Sequence, residues 1–283
     1  MKLGLRWTLR AIGAIAFLAC ALAAWIWFAS EAHLNSFARP ARFSLAIPSD
    51  AAAIARGDHL VKTRGCAGCH GDDLQGQPMW GYAVAPNLAQ LARRAGADQI
   101  EAALRHGIGH DGKALYSMPA FSFIRLRDAD VADMIAYLRT VPESPHDLPA
   151  AKLPWRIRFD LARGTDQAIA GFLDRVPPLR RSGDDALARG EYIAMTTCIE
   201  CHGFSLRADS PFEDETAPDL IVIAGYDEAA FTHLMRSGKA LGERELPMMS
   251  GVARSRFVHL TDDEVRNLYS FLSDMAARAA AAR

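Results

Sequence analysis

The chain has 283 residues, half of them hydrophobic, and a formal net charge of −1 at pH 7. That length leaves room for about two domains with sizeable cores, and the near-neutral balance argues against a nucleic-acid partner. Five cysteines are present, four of them in two short motifs, so no disulfide framework remains.

The first element is an apolar run, AIGAIAFLACALAAWIWFA, at residues 11–29. As a helix it would span about 28 Å, close to the roughly 30 Å of a bilayer core. Lys2, Arg6 and Arg10 precede it, and no Lys or Arg follows until Arg39. The positive-inside rule then leaves the N-terminus in the cytoplasm and the rest of the chain outside. Segment 1–30 is expected to be an uncleaved anchor. A cleaved signal with its exit at Ser30-Glu31-Ala32, or a lipoprotein modified at Cys20, are the alternatives. All three imply export.

Cys66-Ala-Gly-Cys69-His70 and Cys198-Ile-Glu-Cys201-His202 are the next features. Cysteine pairs at this spacing serve zinc, dithiol redox or covalent haem attachment. The pairs lie 132 positions apart, which suits one zinc ribbon poorly. Only haem attachment explains a histidine directly behind each pair: two thiols hold the porphyrin and the imidazole binds the iron from one face.

The chain also repeats itself. ARGDHLVKTRGCAGCH precedes and includes the first motif, and ARGEYIAMTTCIECH the second. Sixteen residues after His70 stands Pro86, and sixteen after His202 stands Pro218. Arg105-x-Gly107 matches Arg236-x-Gly238, and Leu115–Met118 matches Leu246–Met249. This is a duplication, with copies at 49–142 and 183–276 joined by a linker at 143–182. Each copy is expected to close with an amphipathic helix. Val131, Met134, Ile135 and Leu138 fall at helical spacing in the first, and Val265, Leu268, Tyr269 and Leu272 in the second. Thr261 to Glu264 reads as a capping box, and the first closing helix is expected to start at Asp128. Neither copy has strand-like alternation of any length, so the fold class is all-α.

Each copy resembles a class I cytochrome c domain: a helix running into C-x-x-C-H, a proline loop, a middle helix, a methionine loop and a closing helix. The resemblance covers nearly everything after residue 48 except the linker. It implies thioether attachment of two haem c groups at Cys66, Cys69, Cys198 and Cys201. It implies His70 and His202 as axial ligands supported by the Pro86 and Pro218 carbonyls. Met118, in SMPAF, matches the sixth ligand. In the second copy Met249 is preferred by alignment and Met248 stays an alternative. The other methionines read as core or lie too early, as Met79 does. Eight residues separate Met118 from Leu126, but eleven separate Met249 from Leu260.

Two axial ligands fill the iron, which implies electron transfer at relatively high potential. His106, His110 and Asp111 read as a solvated loop, the spacing of His59, His146, His233 and His259 suggests no metal, and Trp80 and Tyr82 read as either packing or haem-pocket wall. Asp209, Glu213, Asp214, Glu215 and Asp219 form an acidic run that could steer a redox partner. Residues 151–182 carry seven Lys/Arg against three acids. That segment is too apolar for a loose tether, and is expected along a domain face or at the membrane surface. It is similar to the linker in cytochrome subunits of membrane-bound alcohol and gluconate dehydrogenases, which typically carry three haem motifs. The expected protein is a dihaem carrier held at the bacterial cytoplasmic membrane with its haem domains in the periplasm. Its expected partners are a dehydrogenase or quinol-oxidising complex and a terminal oxidase. The alternative is a dihaem enzyme, peroxidase-like or thiosulfate-oxidising, with a labile sixth ligand in the second copy.

Overall fold

The computed structural model of the chain describes residues 2–38, 40–143, 148–149, 151–210 and 217–282. The apolar N-terminal run forms one long helix, α1 (Lys2–Leu34). The first copy follows as α2 (Ala51–Thr63), α3 (Cys66–His70), α4 (Leu88–Arg94), α5 (Ala97–His106) and α6 (Asp128–Leu138). The linker contributes α7 (Trp155–Arg163) and a 3-10 turn, Ile169–Arg175. The second copy comprises α8 (Ala186–Thr197), α9 (Ile199–His202), α10 (Glu228–Ser237), α11 (Met249–Ser255) and α12 (Asp262–Ala281). The strands are very short: β1 (Gln77–Met79) pairs antiparallel with β2 (Ala83–Ala85), and β3 (Lys239–Ala240) with β4 (Arg244–Glu245). Two or three residues are too few to leave an alternating pattern in the sequence.

Local chemistry sets the helix starts. Asp50 and Asp185 each accept a hydrogen bond from the third backbone N–H of the helix that follows, at 2.9 and 2.8 Å. Thr261 and Glu264 cap α12 reciprocally. α6 starts at Asp128 without a side-chain cap, and Asp128 and Asp130 in its first turn complement the helix dipole instead.

In each copy the entry helix crosses the closing helix, and a glycine makes the crossing close. A Cβ at Gly57 would run into the backbone of Asp133 and the side chain of Tyr137. One at Gly190 would run into Asn267 and Phe271 in the same way. Val131, Ile135 and Leu138 on α6 are buried, as are Val265, Leu268 and Leu272 on α12. Each contributes about 1.5–3 kcal/mol by leaving water.

The two copies also pack on each other. Tyr192 of α8 sits in the core of the first copy, its hydroxyl donating to Asp130 and accepting from the Arg127 N–H. The Arg127 guanidinium lies 4.4 Å from the Tyr192 ring centre. Phe121 meets Phe204 edge-on at 5.4 Å, and His59 Nε2 lies 2.9 Å from Glu264 Oε1.

The linker lies along the first copy, and it grips the end of α1. Trp27 packs against Trp155. Arg158 stacks 3.9 Å from the Trp27 ring centre and donates to Ser30 and Glu31, both at 2.9 Å. Lys113 reaches Glu31 at 2.6 Å. Leu34 is buried in a small core with Ala102, Ile108, Ala114, Leu161 and Ala168.

Candidate functional site

Both motifs are short helical turns that leave the entry helix and stop at a left-handed glycine, Gly71 at φ +82° and Gly203 at φ +83°. An L side chain is strained there, so glycine is what lets the loop turn back over the histidine. Matching backbone bonds then close the two loops. Gly76 N–H donates to His70 O at 2.7 Å and Leu88 N–H to Leu74 O at 2.9 Å. In the second copy Ala208 N–H donates to His202 O and Leu220 N–H to Leu206 O, both at 3.0 Å. Asn87 and Gln75 brace the first loop through a buried 2.7 Å hydrogen bond, and Arg207 braces the second through Asp219 at 2.6 Å.

This folding brings each histidine to its proline. His70 Nδ1 lies 2.8 Å from Pro86 O, and His202 Nδ1 lies 2.8 Å from Pro218 O. A carbonyl only accepts, so Nδ1 carries the proton and Nε2 keeps its lone pair. Burial pushes both imidazoles below their ordinary range, against a smaller opposing effect of the proline carbonyls. They are therefore neutral at physiological pH, the form that can ligate a metal.

Burial pushes Cys66 up to about 11 and Cys198 up to about 12, and raises Cys69 as well. Among the described residues no group of three or more His, Cys, Asp or Glu side chains is placed to hold a metal ion. A cysteine pair beside one oriented imidazole fits thioether attachment of a haem whose iron takes the histidine.

Met118 is partly buried against the core of the first copy. Met249 opens α11 and is partly buried against the core of the second, whereas Met248 is 64% exposed. Met134, Met195 and Met235 are buried filler, Met275 packs beside the second core, and Met79 lies in β1.

The other singled-out residues are held elsewhere. His106 pairs with Glu101 and His233 with Glu243, and His110 and His259 are exposed. The Asp111 carboxylate accepts from the Lys113 N–H. Tyr82 lies between Trp80 and Tyr116, each ring centre 6.2 Å away. Of the acidic run, Asp209 accepts from the Ser205 N–H at 3.0 Å and Asp219 pairs with Arg207. Glu213, Asp214, Glu215 and His146 lie outside the described residues.

The sequence reading passed over Arg64, Gly65, Glu200 and Arg256. Arg256 Nη1 lies 3.0 Å from Glu200 Oε2, and a Cβ at Gly65 would collide with the Arg256 guanidinium. Chain lengths carried a signal for them. Nine residues separate Gly57 from Cys66 but eight separate Gly190 from Cys198, so the first copy has one more residue before its motif. The second copy has three more after Met249, and Arg256 is within that longer stretch.

A sequence-family profile described as Cytochrome c matches residues 54–142 and 187–276. The fructose dehydrogenase cytochrome subunit of Gluconobacter japonicus is 25% identical over 260 residues, covering 80% of this chain and 53% of that protein. The gluconate 2-dehydrogenase cytochrome c subunit of Pantoea cypripedii is 23% identical over 274 residues, covering 80% and 60%. A diheme cytochrome c-type protein of Cereibacter sphaeroides is 31% identical over 187 residues, covering 55% and 60%. The chain thus spans between about half and three-fifths of the length of these curated relatives.

Proposed function

Because the chain belongs to the cytochrome c family, with a family match in each half, we propose that it is a membrane-anchored dihaem carrier moving electrons from an exported dehydrogenase to a downstream acceptor. It is an electron-transfer protein with two covalently bound haem c groups. When bound, each group supplies a one-electron iron couple. The observation that carries the reading is the paired His–Pro geometry, built twice at 2.8 Å beside a cysteine pair.

The chain's own residues do the rest. Cys66, Cys69, Cys198 and Cys201 would hold the porphyrins, and the free Nε2 of His70 and His202 would take the irons. The Pro86 and Pro218 carbonyls fix the ring tautomers. Met118 and Met249 would hold the irons as well, which would leave no position for oxygen or peroxide. Support for Met249 over Met248 is burial: Met249 packs on the domain core, and Met248 points to solvent.

An uncleaved anchor is supported by the way the protein uses the end of α1. Side chains from residue 4 to residue 22 are exposed, as lipid contact requires. Ser30 is fully buried and Leu34 is a core residue. Cleavage near Ser30 would remove the Trp27 ring from under Arg158. Charge asymmetry around the span supports haem domains on the periplasmic side. The relatives named as dehydrogenase cytochrome subunits make an exported dehydrogenase the preferred donor, and a quinol-oxidising complex or terminal oxidase would complete the chain.

The test is redox stoichiometry. The purified, reduced protein should give two electrons per chain to ferricyanide and should not consume hydrogen peroxide catalytically. Sustained peroxide turnover would favour the enzyme reading. N-terminal sequencing of membrane-extracted protein should begin at or near Met1.

A further inference from the structure

The two motifs converge on one side chain. Arg256 lies close enough to act electrostatically on all four haem-anchoring sulfurs, those of Cys66, Cys69, Cys198 and Cys201. Its guanidinium covers Gly65, directly ahead of the first motif, and pairs with Glu200 inside the second. Glu200 in turn acts on Cys69 of the first copy. The Arg256 side chain is 17% exposed, so its charge is only partly screened by water. Both partners in this contact come from places where the copies differ in length: Gly65 from the longer approach to the first motif, and Arg256 from the longer segment after Met249. Gly65 is left-handed, at φ +74°, and any larger residue there would displace the guanidinium.

We propose that Arg256, held by Glu200 over Gly65, is the positioning residue that couples the two haem sites as one shared positive charge. The inference rests on the dihaem reading above. Reduction adds one electron at a site, with no bond made or broken, so a fixed cation nearby favours the reduced form. A charge between two sites raises both potentials together.

The experiment is a spectroelectrochemical titration of the full-length holoprotein, its two waves assigned with a Cys66→Ala/Cys69→Ala variant. Arg256→Gln should lower both midpoints, by up to about tenfold in the one-electron equilibrium, or about 59 mV. Arg256→Lys should restore most of the shift, and Glu200→Gln should raise both. If Arg256→Gln does not fold, Glu200→Gln decides alone. A shift confined to one site, or none, would overturn the proposal while leaving two haems per chain intact. Fewer than two haems in the unsubstituted protein would instead remove the dihaem reading, and the proposal with it.

Discussion

The two copies share a frame and differ at their seam. Entry helix, glycine crossing, motif, proline carbonyl and closing helix recur with the same contacts, down to two His–Pro distances of 2.8 Å. One extra residue before the first motif and three after Met249 break the symmetry, and these segments touch across the domain boundary. Duplication alone yields two equal sites. The unequal segments join them into a pair with charged residues between.

The largest expected effect removes one half of the pair. Cys198→Ala/Cys201→Ala should reduce haem per chain from two to one, counted by the pyridine haemochrome spectrum, with the first site retained because each copy has its own core. Loss of both haems would mean that the copies do not mature separately.

Next is the shared crossing. Gly57→Val and Gly190→Val each force a side chain into backbone. Each should cost about 3 kcal/mol, the upper end for overpacking, read as a fall in Tm of the holoprotein. A large difference between them would break the equivalence of the frames.

The methionines separate the copies more finely. Met118→Ala and Met249→Ala should each open one haem to carbon monoxide, whereas Met248→Ala should behave as the unsubstituted protein. Carbon monoxide binding in Met248→Ala alone would reverse the assignment.

The smallest effect lies at the seam. Burial raises the Glu264 carboxyl, but hydrogen bonds from His59 and the Thr261 backbone outweigh this and hold it below its usual value of 4.5. A depressed folded-state value stabilises the fold above the unfolded value and loses that contribution as pH falls through the folded one. The unsubstituted protein should therefore lose stability below about pH 4.5 relative to Glu264→Gln. At neutral pH the difference should be about 0.5–1 kcal/mol, as for partly exposed pairs. Thermal melts from pH 3 to pH 7 would measure it, and parallel curves would contradict it.

Much of the frame was legible because it is local. The C-x-x-C-H runs, the prolines at +16, the helical stripe of α12 and the Thr261–Glu264 cap each fit within a few turns of chain. The seam was not, because its partners are far apart in sequence. Nothing near His59 announces Glu264, and nothing near Gly65 announces Arg256. Nor does WRIRFDLAR reveal that Arg158 will stack on Trp27 of α1; its composition says only that it will lie on a surface. Alignment favours Met249 over Met248 without excluding the latter, and burial, which only the packed second copy supplies, separates them further.

The most direct test of the account is the optical spectrum of the reduced protein before and after carbon monoxide, with haem per chain counted on the same sample. The account predicts two haems per chain and no prompt spectral change, since it assigns histidine and methionine to both irons. Prompt binding at one haem would contradict it, and would expose a labile sixth position of the kind an enzyme needs.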